Sequence, residues 1–256
     1  NHHLRKAGRG FARGLHSNIS TERAKMQGDF FTLLGRAISH ERLESYRRKG
    51  AEIDGLNLYA HYAWNIALSE SLYPALQGLE VSLRNGIHGA ATERFNAENW
   101  FADESGFLLP PEQDSVRKAK GTLIKCGKQP EAAGVIAELN FGFWTSLFDV
   151  RYEQKLWPWL LKPVFPYMPR SIRTRKTLSK RLNRIRLLRN RVFHHEPVWY
   201  WGDLAQQHEE LLEAIAWLNP SMKDFIITLD RFHEVHGNGA EKHRVQLEKL
   251  TRPTGE

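Results

Sequence analysis

Ile185-Arg186-Leu187-Leu188-Arg189-Asn190-Arg191-Val192-Phe193-His194-His195-Glu196-Pro197 is the stretch around which the rest of the chain reads most simply. Leu178, Leu182, Ile185, Leu188 and Val192 recur at the spacing of one buried helix stripe. Pro197 cannot continue a helix and pushes Glu196 out of the helical region, so the helix predicted from Arg170 stops near His195. Asn190 and His194 stand one turn apart and share a face. Arg189 lies farther round, within reach of a group held by His194 if the last turn unwinds. An arginine fork matches phosphate oxygens and keeps its charge. Imidazole titrates near neutral pH and moves protons in hydrolytic steps. Arg189, His194 and Asn190 are therefore read as a phosphate clamp, an acid/base group and an orienting amide, with His195 and Glu196 in support.

The same helix carries Arg173, Arg175, Lys176, Lys180, Arg181, Arg184, Arg186 and Arg191 and almost no acidic residue. A single-signed run leading into a candidate site is read as RNA-backbone binding, with Arg173, Lys180, Arg181, Arg184 and Arg191 as the contacts. A solvated face is the alternative. Arg231…His236 repeats the Arg-x4-His spacing in a less apolar segment and is read as coincidence. Leu83-Arg84-Asn85-Gly86-Ile87-His88 echoes Leu188-Arg189-Asn190 and His194 with one residue fewer. Arg84 is either an ion-pair partner of Glu80 one turn earlier or a second arginine of the catalytic groove, with Asn85 beside it.

Further blocks occur in order: Trp64-Asn65 with Leu68-Ser69, Leu79-Glu80-Val81 with Leu83-Arg84-Asn85, Glu138-Leu139 with Phe141-Gly142-Phe143-Trp144, Tyr152-Glu153 with Leu156-Trp157, and Trp217-Leu218. Together with Arg189-Asn190-Arg191 and His194-His195-Glu196-Pro197, this series resembles the Abi-like (abortive infection, AbiD/AbiF-type) branch of the HEPN superfamily over about residues 30–235. The resemblance implies an all-α HEPN-like bundle and a homodimer whose groove forms between two copies of the motif. It also implies a metal-independent endoribonuclease, in an anti-phage or toxin setting where an RNA or protein antitoxin would restrain it.

Composition bounds the rest. The 256 residues include 41% hydrophobic residues and eight Trp, which excludes a disordered chain and supplies a substantial core, in one large domain or two closely packed halves. A net charge of +8 points to a polyanionic partner. Cys126 is the one cysteine, so no intrachain disulfide forms and a cytoplasmic setting is expected. No transmembrane span is expected. Residues 1–29 read as a basic arm or a leader or tag remnant, 30–236 as the helical domain, and 237–256 as a charged tail.

Helices are expected over Phe30–Ile38, from a Ser39 cap to Gly50, over Leu56–Leu72, from Pro74 to Phe95, over Glu112–Lys125, from Pro130 to Leu139, over Thr145–Leu161 with a break near Pro158, over Asp203–Leu218, and from a Ser221 cap through Phe232. No strand and no phosphate-binding glycine loop is read.

His194 and His195 are adjacent and diverge on a helix, and carboxylates do not cluster in sequence as a two-metal nuclease needs. No cofactor and no metal is expected. A metal-free route is left, in which the RNA 2′-hydroxyl attacks the neighbouring phosphorus. The alternative is a non-catalytic module that binds a structured RNA. A further one, implied by the resemblance to HEPN proteins, is a partner or substrate of a nucleotidyl-transferase, modified at Tyr200.

Overall fold

A computed structural model describes residues 30–50, 55–102 and 106–250, and every regular element among them is helical. In chain order these are α1 (residues 30–38), α2 (His40–Arg47), α3 (Gly55–Phe95), α4 (Pro110–Lys125), α5 (Ala132–Glu138), α6 (Phe141–Ser146), a 3-10 turn (Val150–Tyr152) and α7 (Glu153–Val164). Then come α8 (Arg175–Phe193), α9 (Leu204–Leu218), α10 (Pro220–Ile227), α11 (Phe232–Asn238) and α12 (Glu241–Leu250). No helix among the described residues is long and apolar enough to cross a membrane. The expected arm at 1–29 lies outside the described residues.

The chain divides into two compact units. One takes the described residues up to Leu68, Pro197–Trp201 and the described residues from Glu234; the other takes Ser69–Glu196 and Gly202–His233. The first unit is built on Leu43, Tyr46, Leu58 and Tyr59, with Phe31, Leu34, Ile38, Tyr62, Trp199 and Leu247 packed on them. Ser39 caps α2, its hydroxyl accepting from the Arg42 amide. Asn65, almost fully buried on α3, accepts from the Val198 and Trp199 amides at 2.7 and 3.3 Å, fixing the chain just after Pro197. The Trp64 indole donates to the Val235 carbonyl at 3.0 Å. Within the expected charged tail, residues 241–250 form a helix whose half-buried Leu247 packs against this core.

In the second unit the predicted α8 stripe, Leu178, Leu182, Ile185, Leu188 and Val192, is buried throughout. It faces α6, α7 and α9. Five such side chains contribute roughly 10 kcal/mol of gross burial energy, enough to hold a helix otherwise covered in charge. The second half of α3 buries Leu72, Leu76, Leu79, Leu83, Ile87 and Ala91. Glu112, 4% exposed at the start of α4, accepts from Ser146 Oγ at 2.9 Å, Arg151 Nη2 at 2.6 Å and Tyr152 Oη at 2.7 Å. This satisfied network ties α4 to the turn before α7.

Several helix boundaries differ from expectation. Pro74 lies inside a continuous α3. A mid-helix proline costs about 3 kcal/mol, and burial of Leu72, Ala75 and Leu76 on either side outweighs it. The segment from Thr145 is broken: α6 stops at Ser146, the 3-10 turn intervenes, and α7 then runs through both Pro158 and Pro163. Asn219 rather than Ser221 caps α10, because Pro220 suits the first turn and the Asn219 side chain accepts from the Met222 amide at 3.0 Å.

Candidate functional site

α8 is capped by Thr174, whose hydroxyl accepts from the Thr177 amide at 3.2 Å. It ends in a Schellman turn: the Glu196 amide donates to the Arg191 carbonyl at 2.9 Å and the His195 amide to the Val192 carbonyl at 3.1 Å. His194 is the C-cap and His195 takes the left-handed position, with φ 57°. A hydrophobic contact often closes this turn; here an Arg191–Glu196 ion pair closes it. That gives His195 and Glu196 their structural role at the helix end.

The turn presents the His194 ring to solvent, one helical turn beyond the half-buried Asn190. Arg189 faces α3. Its Nη2 stands 3.5 Å from Glu80 Oε2, and its guanidinium carbon lies 4.3 Å from the centre of the Phe193 ring. Tyr73 flanks that ring at 6.0 Å. The Arg189 side chain is 25% exposed, and its Nε is buried without a hydrogen-bond partner among the described residues. Arg189 is thus anchored at the end of α8 with donor capacity left over.

Glu80 pairs with Arg189, so the sequence-level pairing of Glu80 with Arg84 is replaced by a contact between helices. Arg84, one turn after Glu80, donates from Nε to Asn85 Oδ1 at 3.4 Å. Asn85 lines a separate cleft of about 280 Å³ with Gly86, Pro163, Val164, Leu218 and Met222.

The basic residues on and just before α8 divide into two groups. Arg173 is spent on its own turn, donating to the carbonyls of Met168 and Pro166. Arg181 pairs with Glu213 at 2.6 Å and Glu210 at 3.8 Å, and lies 4.7 Å over the Trp217 ring. Arg184 pairs with Asp203 at 2.5 Å and Glu210 at 3.0 Å. α9 thus supplies the acidic partners that α8 lacks. Lys176 and Lys180 are exposed and make no ion pair among the described residues. They border a cleft of about 460 Å³ with Thr177, Arg181, Arg184, Gln206 and Glu210. The contributions of Glu80, Tyr73 and Phe193 were missed as parts of one site; only the adjacency of α3 and α8 reveals them.

Comparison with protein-family models, with curated proteins and with solved structures returns no match. The likeness to HEPN domains therefore stands on the sequence blocks alone.

Proposed function

We propose that the protein is a metal-independent endoribonuclease of the HEPN kind, acting as a homodimer in the cytoplasm in abortive infection or as a toxin. The observation that carries this reading is the end of α8. Arg189 is held by Glu80, while Asn190 and the solvent-facing His194 follow within the next turn. The RNA 2′-hydroxyl attacks the adjacent phosphorus and the 5′-oxygen leaves, giving a 2′,3′-cyclic phosphate and a 5′-hydroxyl. His194 moves the proton, Arg189 stabilises charge on the phosphoryl oxygens, and Asn190 orients one or the other. DNA, without the 2′-hydroxyl, resists. Lys176 and Lys180 offer the open positive charge for the backbone, and the paired Arg181 and Arg184 shape the cleft beside them. That same open cleft is what favours the second reading, an RNA-binding module without cleavage.

The test is RNA cleavage in EDTA with product ends mapped. The wild type leaves cyclic phosphates, and His194→Ala lowers the rate by about 10²–10⁴-fold while RNA binding persists. Arg189→Lys, which keeps the charge that pairs with Glu80 but loses the fork, also slows cleavage. Tight, salt-sensitive binding without cleavage by any form establishes the binding module instead, and activity that needs a divalent metal overturns the mechanism.

A further inference from the structure

His208 on α9 is fully buried and stacks on Phe232, with ring centres 4.3 Å apart and planes 17° apart. Its Nδ1 has no hydrogen-bond partner among the described residues. Nε2 stands 3.1 Å from Asp230 Oδ2, at ion-pair distance. Nε2 is thus faced by a carboxylate while Nδ1 has no polar partner among the described residues, and a buried polar atom left unpaired costs about 1–3 kcal/mol. Beside it, His233 Nε2 lies 2.8 Å from Glu209 Oε1. One donor atom each from His208, Glu209 and His233 falls within 4.8 Å of the others.

We propose that His208, Glu209 and His233 bind a first-row divalent cation of zinc's class, with Asp230 orienting the His208 ring. Two imidazoles and a carboxylate are a donor set of zinc's preference, and three protein ligands leave a fourth position for water. Bonds of about 2.0–2.2 Å bring ligand atoms to roughly 3.5 Å from one another. Glu209 and His233, 60% and 63% exposed, can close that gap by side-chain rotation while His208 stays fixed. Asp230 is itself held, its Oδ1 accepting from the Phe232 amide at 2.9 Å. A carboxylate fixed against a histidine is the arrangement that orients metal-bound imidazoles. The cation would clamp α9 to the first turn of α11. It would be separate from the ribonuclease chemistry proposed for the end of α8.

The experiment is a zinc titration of chelator-stripped full-length protein by calorimetry, with thermal unfolding followed in parallel. One equivalent is expected to bind and raise the unfolding midpoint. Glu209→Gln and His233→Ala, both at exposed positions, are expected to keep the far-ultraviolet circular dichroism of the wild type and to weaken binding by about tenfold or more. Asp230→Asn gives a smaller loss. No saturable binding by folded wild type overturns the proposal, and so does zinc binding by both variants as tight as wild type. Neither readout involves RNA, so the result is independent of the cleavage assay.

Discussion

His195 is the residue whose backbone asks for another side chain. It occupies the left-handed position of the Schellman turn, with φ 57°, where glycine is usual and an L side chain costs roughly 1–2 kcal/mol. His195→Gly removes that strain but gives up the imidazole's own interactions and loosens the unfolded chain. The expected net effect is a gain of about 1 kcal/mol in unfolding free energy, measured by urea titration. Should stability rise while RNA cleavage falls, the imidazole is kept at that position for function. A loss of stability would instead mean that its contacts outweigh the backbone strain. Asn190, His194 and Arg189 were all legible as candidates from spacing. What spacing could not give is the direction in which Arg189 points, because its partner Glu80 lies on another helix.

At the scale of the element, α3 offers a paired test. Gly78 and Gly89 both lie within this helix. A Cβ at Gly78 would meet Ile226 Cγ1 at 2.8 Å, whereas one at Gly89 meets nothing within 4 Å. Gly89→Ala is expected to stabilise by about 0.5–1 kcal/mol through helix propensity. Gly78→Val is expected to destabilise by about 2 kcal/mol through overpacking against α10. Equal effects at the two positions, read from denaturation midpoints, would contradict the close approach of α3 to α10. The sequence made both glycines look alike. It also made the α8 stripe plain, since apolar periodicity is a local signal and all five residues are buried. It misplaced the start of α8, because Arg173 binds the carbonyls of Met168 and Pro166 and holds a turn that delays the helix to Thr174. Pro74 misled for a related reason: a local breaking signal was overridden by burial on both sides. The acidic partners of Arg181 and Arg184 come from α9, a pairing that no reading of α8 alone can supply.

Across the described residues, three histidines bear on the response to acid, His208 buried and His88 and His243 half-buried. Burial holds the His88 and His208 imidazoles below the ordinary histidine range, against opposing pulls from Glu98 and Asp230; His243 is shifted the same way by burial and by Lys242. At His88 the geometry says the same, since Nδ1 accepts from the Trp100 indole at 3.0 Å and loses that bond once protonated. In the unfolded chain these side chains titrate near pH 6.5. Above that value neither state takes up a proton and the contribution to stability is complete. As pH falls through it, the unfolded chain binds protons first and stability drops, until the folded imidazoles titrate as well. The urea midpoint is therefore expected to be lower at pH 5.5 than at pH 7.5, two conditions chosen to bracket the unfolded value of about 6.5. The titration belongs in chelator, so that a cation at His208 does not add its own proton competition. His88→Gln keeps an oxygen for the Trp100 indole and has no proton to bind, so its midpoint should fall less over the same interval. A variant as acid-sensitive as wild type would show that His88 is not a source of the loss and would shift attention to His208 and His243.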